Sequence, residues 1–144
     1  MHFQVSRLTY SDSYFIEQLV EDFLSEEEKP TVDHLKSVLS DDRTYLYIAA
    51  VNEKVIGYCL VYRFPSIYSS HHLAYLYDIE VIEEHQKKGI GREFIRVAKE
   101  QLAKDNVSEL WPGTATDNES GQTLFSRTGA VKSDETFNDY TYEL

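Results

Sequence analysis

The sequence predicts a mixed α/β protein, a central sheet carrying helices on both faces, and three observations lead there. Two β-rich runs, TYLYIAAV and VIGYCLVYRF, are separated only by Asn52, Glu53 and Lys54, the spacing of an antiparallel hairpin. Strand-like runs bracket helical periodicities along the whole chain, the pattern of a layered sheet with helices. The chain has 144 residues, enough for one domain with a real core, and no repeat or linker divides it.

The elements follow in order. FQVSRLT reads as a short opening strand. Ser11 or Asp12 can cap a helix in which Phe15, Ile16, Leu19, Val20, Phe23 and Leu24 recur at helical spacing. Pro30 blocks its continuation, and Thr31 caps a second short helix with Val32, Leu35, Val38 and Leu39 on its apolar stripe. The hairpin comes next, then LAYLYDIEVI as a third long strand. A helix from about Ile90 to Lys104 buries Ile90, Phe94, Val97, Ala98 and Leu102. SELWPGT reads as a strand, DNESGQTLFSRTG as a helix closed by Gly129, and AVKSDETFNDYTYEL as the last strand.

Composition narrows the function. A formal net charge of −11 and a pI near 4.8 oppose a nucleic-acid partner, which would need a basic face. No apolar run is long enough to span a bilayer, and MHFQVSRLTY lacks the character of a signal peptide. Cys59 is the only cysteine, which fits a reducing, cytoplasmic setting and a small core residue more than a nucleophile. No third ligand stands at metal spacing with His71 and His72, adjacent residues that could otherwise relay a proton.

Against this acidic background Lys87, Lys88 and Arg92 gather around Gly89 and Gly91, directly before a helix. Glycine permits positive φ and close backbone approach, and the first N–H groups of a helix point outward at its positive end. An ordinary turn with solvated lysines accounts for the spacing; an anion cradle accounts for spacing and charge together. It is not a phosphate loop of the Walker type, because the lysines precede the glycines. Nor is it a dinucleotide fingerprint, because Phe94 occupies the third glycine position.

The run Gln86-Lys87-Lys88-Gly89-Ile90-Gly91-Arg92, directly behind YDIEV, resembles the acetyl-CoA-binding signature of the GNAT superfamily of N-acetyltransferases. Asn118 to Phe125, followed by Gly129 and Ala130, is similar to that family's second cofactor segment. The resemblance implies a mostly antiparallel sheet splayed at the cofactor site. It also implies that backbone from Gln86 through Arg92 binds the pyrophosphate, and that the pantetheine arm lies along Ile79 and Val81. Asn118 would meet the pantetheine or adenosine portion, or else cap its own helix. YLYDIEV, with its Tyr77-Asp78 pair, further resembles the aminoglycoside 3-N-acetyltransferase branch. A homodimer is common in the family.

Asp78 is the candidate general base or amine anchor, because an alkylammonium titrating near ~10 must lose a proton before it attacks a thioester. Strict alternation puts Asp78 on one face with Leu76, Glu80 and Ile82, opposite Tyr75, Tyr77, Ile79 and Val81, unless a bulge intervenes. Glu80 is a weaker candidate for the same work. Many family members protonate the leaving thiolate from a tyrosine where this chain has Phe125. Tyr77 or Tyr140 could substitute, water could donate, or the thiolate could leave unprotonated; weakened catalysis, or an acetyl-CoA-binding module without turnover, is the other reading. The acidic run from Glu26 to Glu28, with Asp134, Glu135 and Asp139, could recruit a cationic acceptor or simply be solvated. The expected reaction moves acetyl from acetyl-CoA directly to a primary amine, with no metal. The acceptor is an aminoglycoside-like polycation, a polyamine, an amino-acid derivative or a protein amine.

Overall fold

A computed structural model describes residues 2–25 and 28–144, so Glu26 and Glu27 lie outside the described residues. Two compact units emerge, 1–113 and 114–144. The first holds a five-stranded sheet in the order β1 (Gln4–Arg7), β2 (Thr44–Val51), β3 (Lys54–Pro65), β4 (His72–Val81), β5 (Val107–Pro112). All neighbours are antiparallel except β4 and β5, which run parallel. Asn52 and Glu53 turn the β2–β3 hairpin with φ of 48° and 66°, the positive values of a two-residue turn matched to strand twist.

Helices α1 (Ser13–Asp22) and α2 (Val32–Leu39) cover one sheet face. Ile16, Leu19 and Leu39 pack there with Leu8, Leu46, Ile48, Val55 and Tyr58, and Phe23 meets the Tyr58 ring edge-on. Thr31 caps α2 as expected, its hydroxyl accepting from the His34 N–H at 3.0 Å. Asp12 behaves differently. Its carboxylate accepts from Thr9 N–H at 2.7 Å, so it braces the turn before α1 without capping the helix.

Helix α3 (Ile90–Lys104) serves the opposite face with Ile90, Phe94, Ile95, Ala98 and Leu102 buried, and its C-cap Asp105 accepts from the Tyr45 hydroxyl at 2.6 Å. Val97 is only half-buried, and Ile95 takes the core position expected of it. No helix among the described residues is long and apolar enough to cross a membrane.

The second unit contains α4 (Glu119–Arg127), closed by Gly129 at φ 97°. The expected last strand is absent: 130–144 forms no regular element, and Val131, Phe137, Tyr140 and Tyr142 stand exposed. Alternating β-prone residues make a strand only where a neighbouring edge satisfies their backbone, and no pairing includes these residues. Asp134, Glu135 and Asp139 are therefore exposed along an unpaired segment.

Two core groups respond to burial. It pushes the Tyr47 phenol up to about 12, and its hydroxyl has no hydrogen-bond partner among the described residues; it pushes the Cys59 thiol up to about 12 as well. Both groups are acids whose folded values exceed the ordinary 10.0 and 9.0, so the stability they contribute is whole below those values and lost as pH climbs toward 12. Urea midpoints measured from pH 8 to 12 will fall across that window. Tyr47→Phe will flatten the fall and leave neutral-pH stability equal or higher by up to about 1 kcal/mol, since no hydrogen bond is lost. A loss beyond about 1 kcal/mol at pH 7 would show that the hydroxyl is satisfied.

Candidate active site

Three features meet along β4. The first is a bulge. Leu60 pairs with Asp78 while Val61 pairs with Leu76, so Tyr77 has no partner in the ladder. The extra residue reverses the expected alternation. Asp78 sits across from Leu60 and Glu80 across from Tyr58, on the face that also carries Tyr75, opposite buried Leu76. Tyr77 leans to the same face, with its ring 5.7 Å from that of Tyr62 and 6.2 Å from that of Tyr75.

The second feature is an open edge. β5 pairs with β4 only from His72 to Leu76, ending at Pro112, which has no N–H to continue the ladder. Beyond Leu76 that side of β4 is unpaired. Ile82 N–H donates to Ile56 O at 2.9 Å, so the even-numbered backbone groups face β3. Those of Ile79 and Val81 therefore face the open edge. The Val81 carbonyl is taken there by Gln86 Nε2 at 2.9 Å, leaving the Val81 N–H and both groups of Ile79.

The third feature is the loop that closes β4. A single 3-10 turn, Glu83–His85, leads into Gln86, Lys87 at φ 61° and Gly89 at φ 86°. Gly89 is the N-cap of α3. A Cβ there would meet nothing within 4 Å, so the glycine is required by its left-handed backbone and not by crowding. The Glu93 N–H bonds Gly89 O at 3.0 Å, so the N–H groups of Ile90, Gly91 and Arg92 open the helix without intrahelical partners. Lys87, Lys88 and Arg92 are exposed and form no ion pair among the described residues, whereas Arg96 is held by Glu93 and Glu100. Free N–H groups, free cations and a free strand edge suit an elongated anionic molecule lying along β4.

Asp78 is exposed rather than buried, and its Oδ2 accepts from the Tyr58 hydroxyl at 2.5 Å. Burial first, then Asp78 and Glu80, push the Tyr58 phenol far above its ordinary value, so it remains a proton donor. Tyr58 was missed from the sequence. Its only signal was position, four residues after the start of a strand whose register could not be read.

The two histidines fall elsewhere. His72 contacts Arg63 at 2.9 Å at the start of β4, six residues and about 20 Å from Asp78. His71 is exposed beside it, so neither histidine reaches the carboxylate. Among the described residues no His, Cys, Asp or Glu cluster could hold a metal. In the second unit Asn118 caps α4, its Oδ1 accepting from the Gly121 N–H at 3.0 Å and from the Ser120 hydroxyl at 3.1 Å. Phe125 is half-buried on the same helix, and Tyr140 is 87% exposed.

Residues 12–130 match the model of the acetyltransferase (GNAT) family. The chain belongs to that family. GNAT acetyltransferases use acetyl-CoA, and this member is an acetyl-CoA-dependent N-acetyltransferase. No curated protein matches the sequence. Solved structures share the fold. An aminoglycoside acetyltransferase from an uncultured soil metagenomic sample, crystallised with trehalose and also with sisomicin, is 22% identical at a TM-score of 0.88, over 99% of this chain and 96% of that one. AAC(6')-Iy, in complex with the bisubstrate analog CoA-S-monomethyl-acetylneamine, is 16% identical at 0.81, with both chains fully covered at 100%. A ribosomal-protein-alanine N-acetyltransferase from Brucella melitensis biovar Abortus 2308 is 18% identical at 0.77, covering 99% of this chain and 100% of that one.

β3 and β4 pack closely beside this site. A Cβ on Gly57 would stand 2.6 Å from the Glu80 carbonyl oxygen and 3.2 Å from Val81 Cα, both backbone atoms. Gly57→Ala must therefore push the strands apart beside the open edge. It will destabilise the protein by about 1–3 kcal/mol in urea unfolding, and an unchanged midpoint would contradict the packing described.

Proposed function

We propose that this chain acetylates a primary amine of a small polycation of the aminoglycoside class, with Asp78 receiving the acceptor amine. The observation that carries the proposal is a coincidence within two residues: an exposed carboxylate at Asp78 and an unpaired backbone edge at Ile79. Acidic net charge and structural neighbours crystallised with sisomicin and with an acetylneamine analog support the acceptor class.

Acetyl-CoA, when bound, supplies the activated acetyl group. Lys87, Lys88, Arg92 and the free N–H groups at the start of α3 would hold its pyrophosphate, with Gln86 and Gly89 fixing the loop. Ile79 and the Val81 N–H would bind its arm as an added strand, and the Ile79 N–H would be the donor to its thioester oxygen. Asn118, the N-cap of α4, and Phe125 within it lie inside the stretch matched by the family model, and we propose that both units act as one acetyltransferase domain.

Asp78 carries out the proton step. Its carboxylate anchors the ammonium, and although that opposes deprotonation beforehand, the nitrogen turns strongly acidic as its bond to the acetyl carbon forms, so its proton passes to Asp78 as the thiolate leaves. The Tyr58 hydroxyl fixes one oxygen and leaves the other to the amine. Glu80 lies on the same face as a second anionic group. The leaving group would be a thiolate whose thiol titrates near ~8.5, so it would need little help at neutral pH; Tyr77, exposed and adjacent to Asp78 in the chain, carries a hydroxyl, whereas Phe125 has none.

The test is thiol release from acetyl-CoA with a panel of amines: aminoglycosides with and without a 3-amino group, spermidine, and a peptide with an N-terminal alanine. Cys59 is 0% exposed, so a thiol reagent will read coenzyme A without reacting with the folded protein. An aminoglycoside will exceed spermidine and peptide by at least about tenfold in kcat/KM, or about 1.4 kcal/mol of discrimination. Equal or better turnover with the peptide would move the acceptor to a protein amine, and silence with every aminoglycoside would reject the class.

A further inference from the structure

Five large aromatic side chains lie exposed on the face of β3, β4 and β5 that carries Asp78: Tyr62 at 36%, Phe64 at 37%, Tyr75 at 40%, Tyr77 at 66% and Trp111 at 45%. Single exposed aromatics need no explanation, but these are contiguous. Tyr62 pairs across the ladder with Tyr75, and Tyr75 with Trp111. Ring contacts link Tyr62 to Tyr77, Tyr75 to Tyr77 and Phe64 to Trp111 at 5.7, 6.2 and 6.2 Å, all edge-to-face. Each rigid ring is therefore held by its neighbour while part of its surface stays in water. α1 and α2 cover this sheet face further along, over Ile48, Tyr58 and Leu60, and stop short of the rings.

Charge on the face is one-sided. The strip ends at Asp78 and Glu80, and the Trp111 indole N–H points to Glu109 at 3.3 Å. None of the side chains that share this face of β3, β4 and β5 is basic; Arg63 turns the other way, to Tyr45 and His72. Aromatic faces attract cations through their quadrupole and offer flat apolar area to a ring. Three residues of strand separate Tyr75 from Asp78, about 10 Å.

We infer that this aromatic strip is the acceptor platform, selecting polycationic amines built on saturated six-membered rings over flexible linear polyamines. The inference rests on the acetyl-transfer reading above and deepens it. One ring of the acceptor lies on Tyr62, Tyr75 and Trp111, its ammonium groups near the ring faces, while the reacting amine reaches Asp78. A linear polyamine is attracted by the same carboxylates but presents no flat face, and it loses more conformational freedom on the strip.

Trp111, the only tryptophan of the chain, sits inside the platform and reports on it directly. Its emission is titrated with kanamycin and with spermidine, with no acetyl-CoA present, in the native protein, Tyr75→Leu and Tyr62→Leu, with Tyr10→Leu, outside the strip, as a control; thermal melts verify folding. Kanamycin will change the emission saturably, with half-saturation near its KM. Either Tyr75→Leu or Tyr62→Leu will weaken that response at least about tenfold and raise the kanamycin KM in proportion with less effect on kcat, as loss of one aromatic stacking contact requires. Spermidine will give no saturable change. An emission that stays flat across the range where kanamycin acetylation saturates would overturn the platform and leave the acetyltransferase reading standing. Emission that follows protein concentration instead of amine would assign the face to a second copy and also overturn it. Saturable kanamycin binding without thiol release from any amine would uphold the platform and defeat the proposed reaction.

Discussion

Pro112 ends the pairing between β4 and β5, and most of the site follows from that interruption. A parallel neighbour with an N–H at this position could extend the ladder and seal the backbone of residues 77–81 inside a sheet. Without it, β4 keeps one partner, β3, and shows the polar groups of Ile79 and Val81 on its other edge. Unpaired strand edges are a liability unless something covers them. Here Gln86 covers part of the edge by taking the Val81 carbonyl, and the same contact fixes the loop that opens α3. One side chain thus couples the end of the strand to the geometry of the glycine turn.

The bulge at Tyr77 is the second constraint. It moves Asp78 and Glu80 onto the face shared with Tyr58 and the exposed aromatics, away from the core packed under α3. Cationic and anionic groups are thereby sorted within one short segment. Lys87, Lys88 and Arg92 surround the helix start, while Asp78 and Glu80 stand on the strand face before it. In a chain of net charge −11 the basic cluster is a local exception, and its cations are not consumed by the acidic surroundings. One strand thus presents a polar backbone edge on one side and an acidic face on another.

Local chemistry made much of this legible in the sequence. The Asn52-Glu53 turn, the Thr31 cap and the stripe of Ile90, Phe94, Ala98 and Leu102 each depend on neighbours within a few residues. Gly89 was legible for the same reason, since its backbone conformation is required by the turn itself. What depended on register was not. The bulge that turns Asp78 around, the Tyr58–Asp78 contact and the aromatic strip all arise from pairing between distant segments. The histidines at the far end of β4 were misplaced because adjacency in sequence to a strand says nothing about which end matters. The terminal segment carries strand propensity without a strand partner, so 130–144 looks like a strand in the sequence and forms none.

The central claim is that Asp78, at the bulge beside the open edge, receives the acceptor amine and its proton. Steady-state kinetics of Asp78→Asn with saturating acetyl-CoA test it most directly, read against acetyl-CoA binding measured separately. The account predicts that kcat falls about 10²–10⁴-fold, the range of a lost general base, while acetyl-CoA affinity stays within about twofold because the carboxylate faces away from the cofactor edge. Unchanged kcat in Asp78→Asn would contradict the account and remove Asp78 from proton transfer.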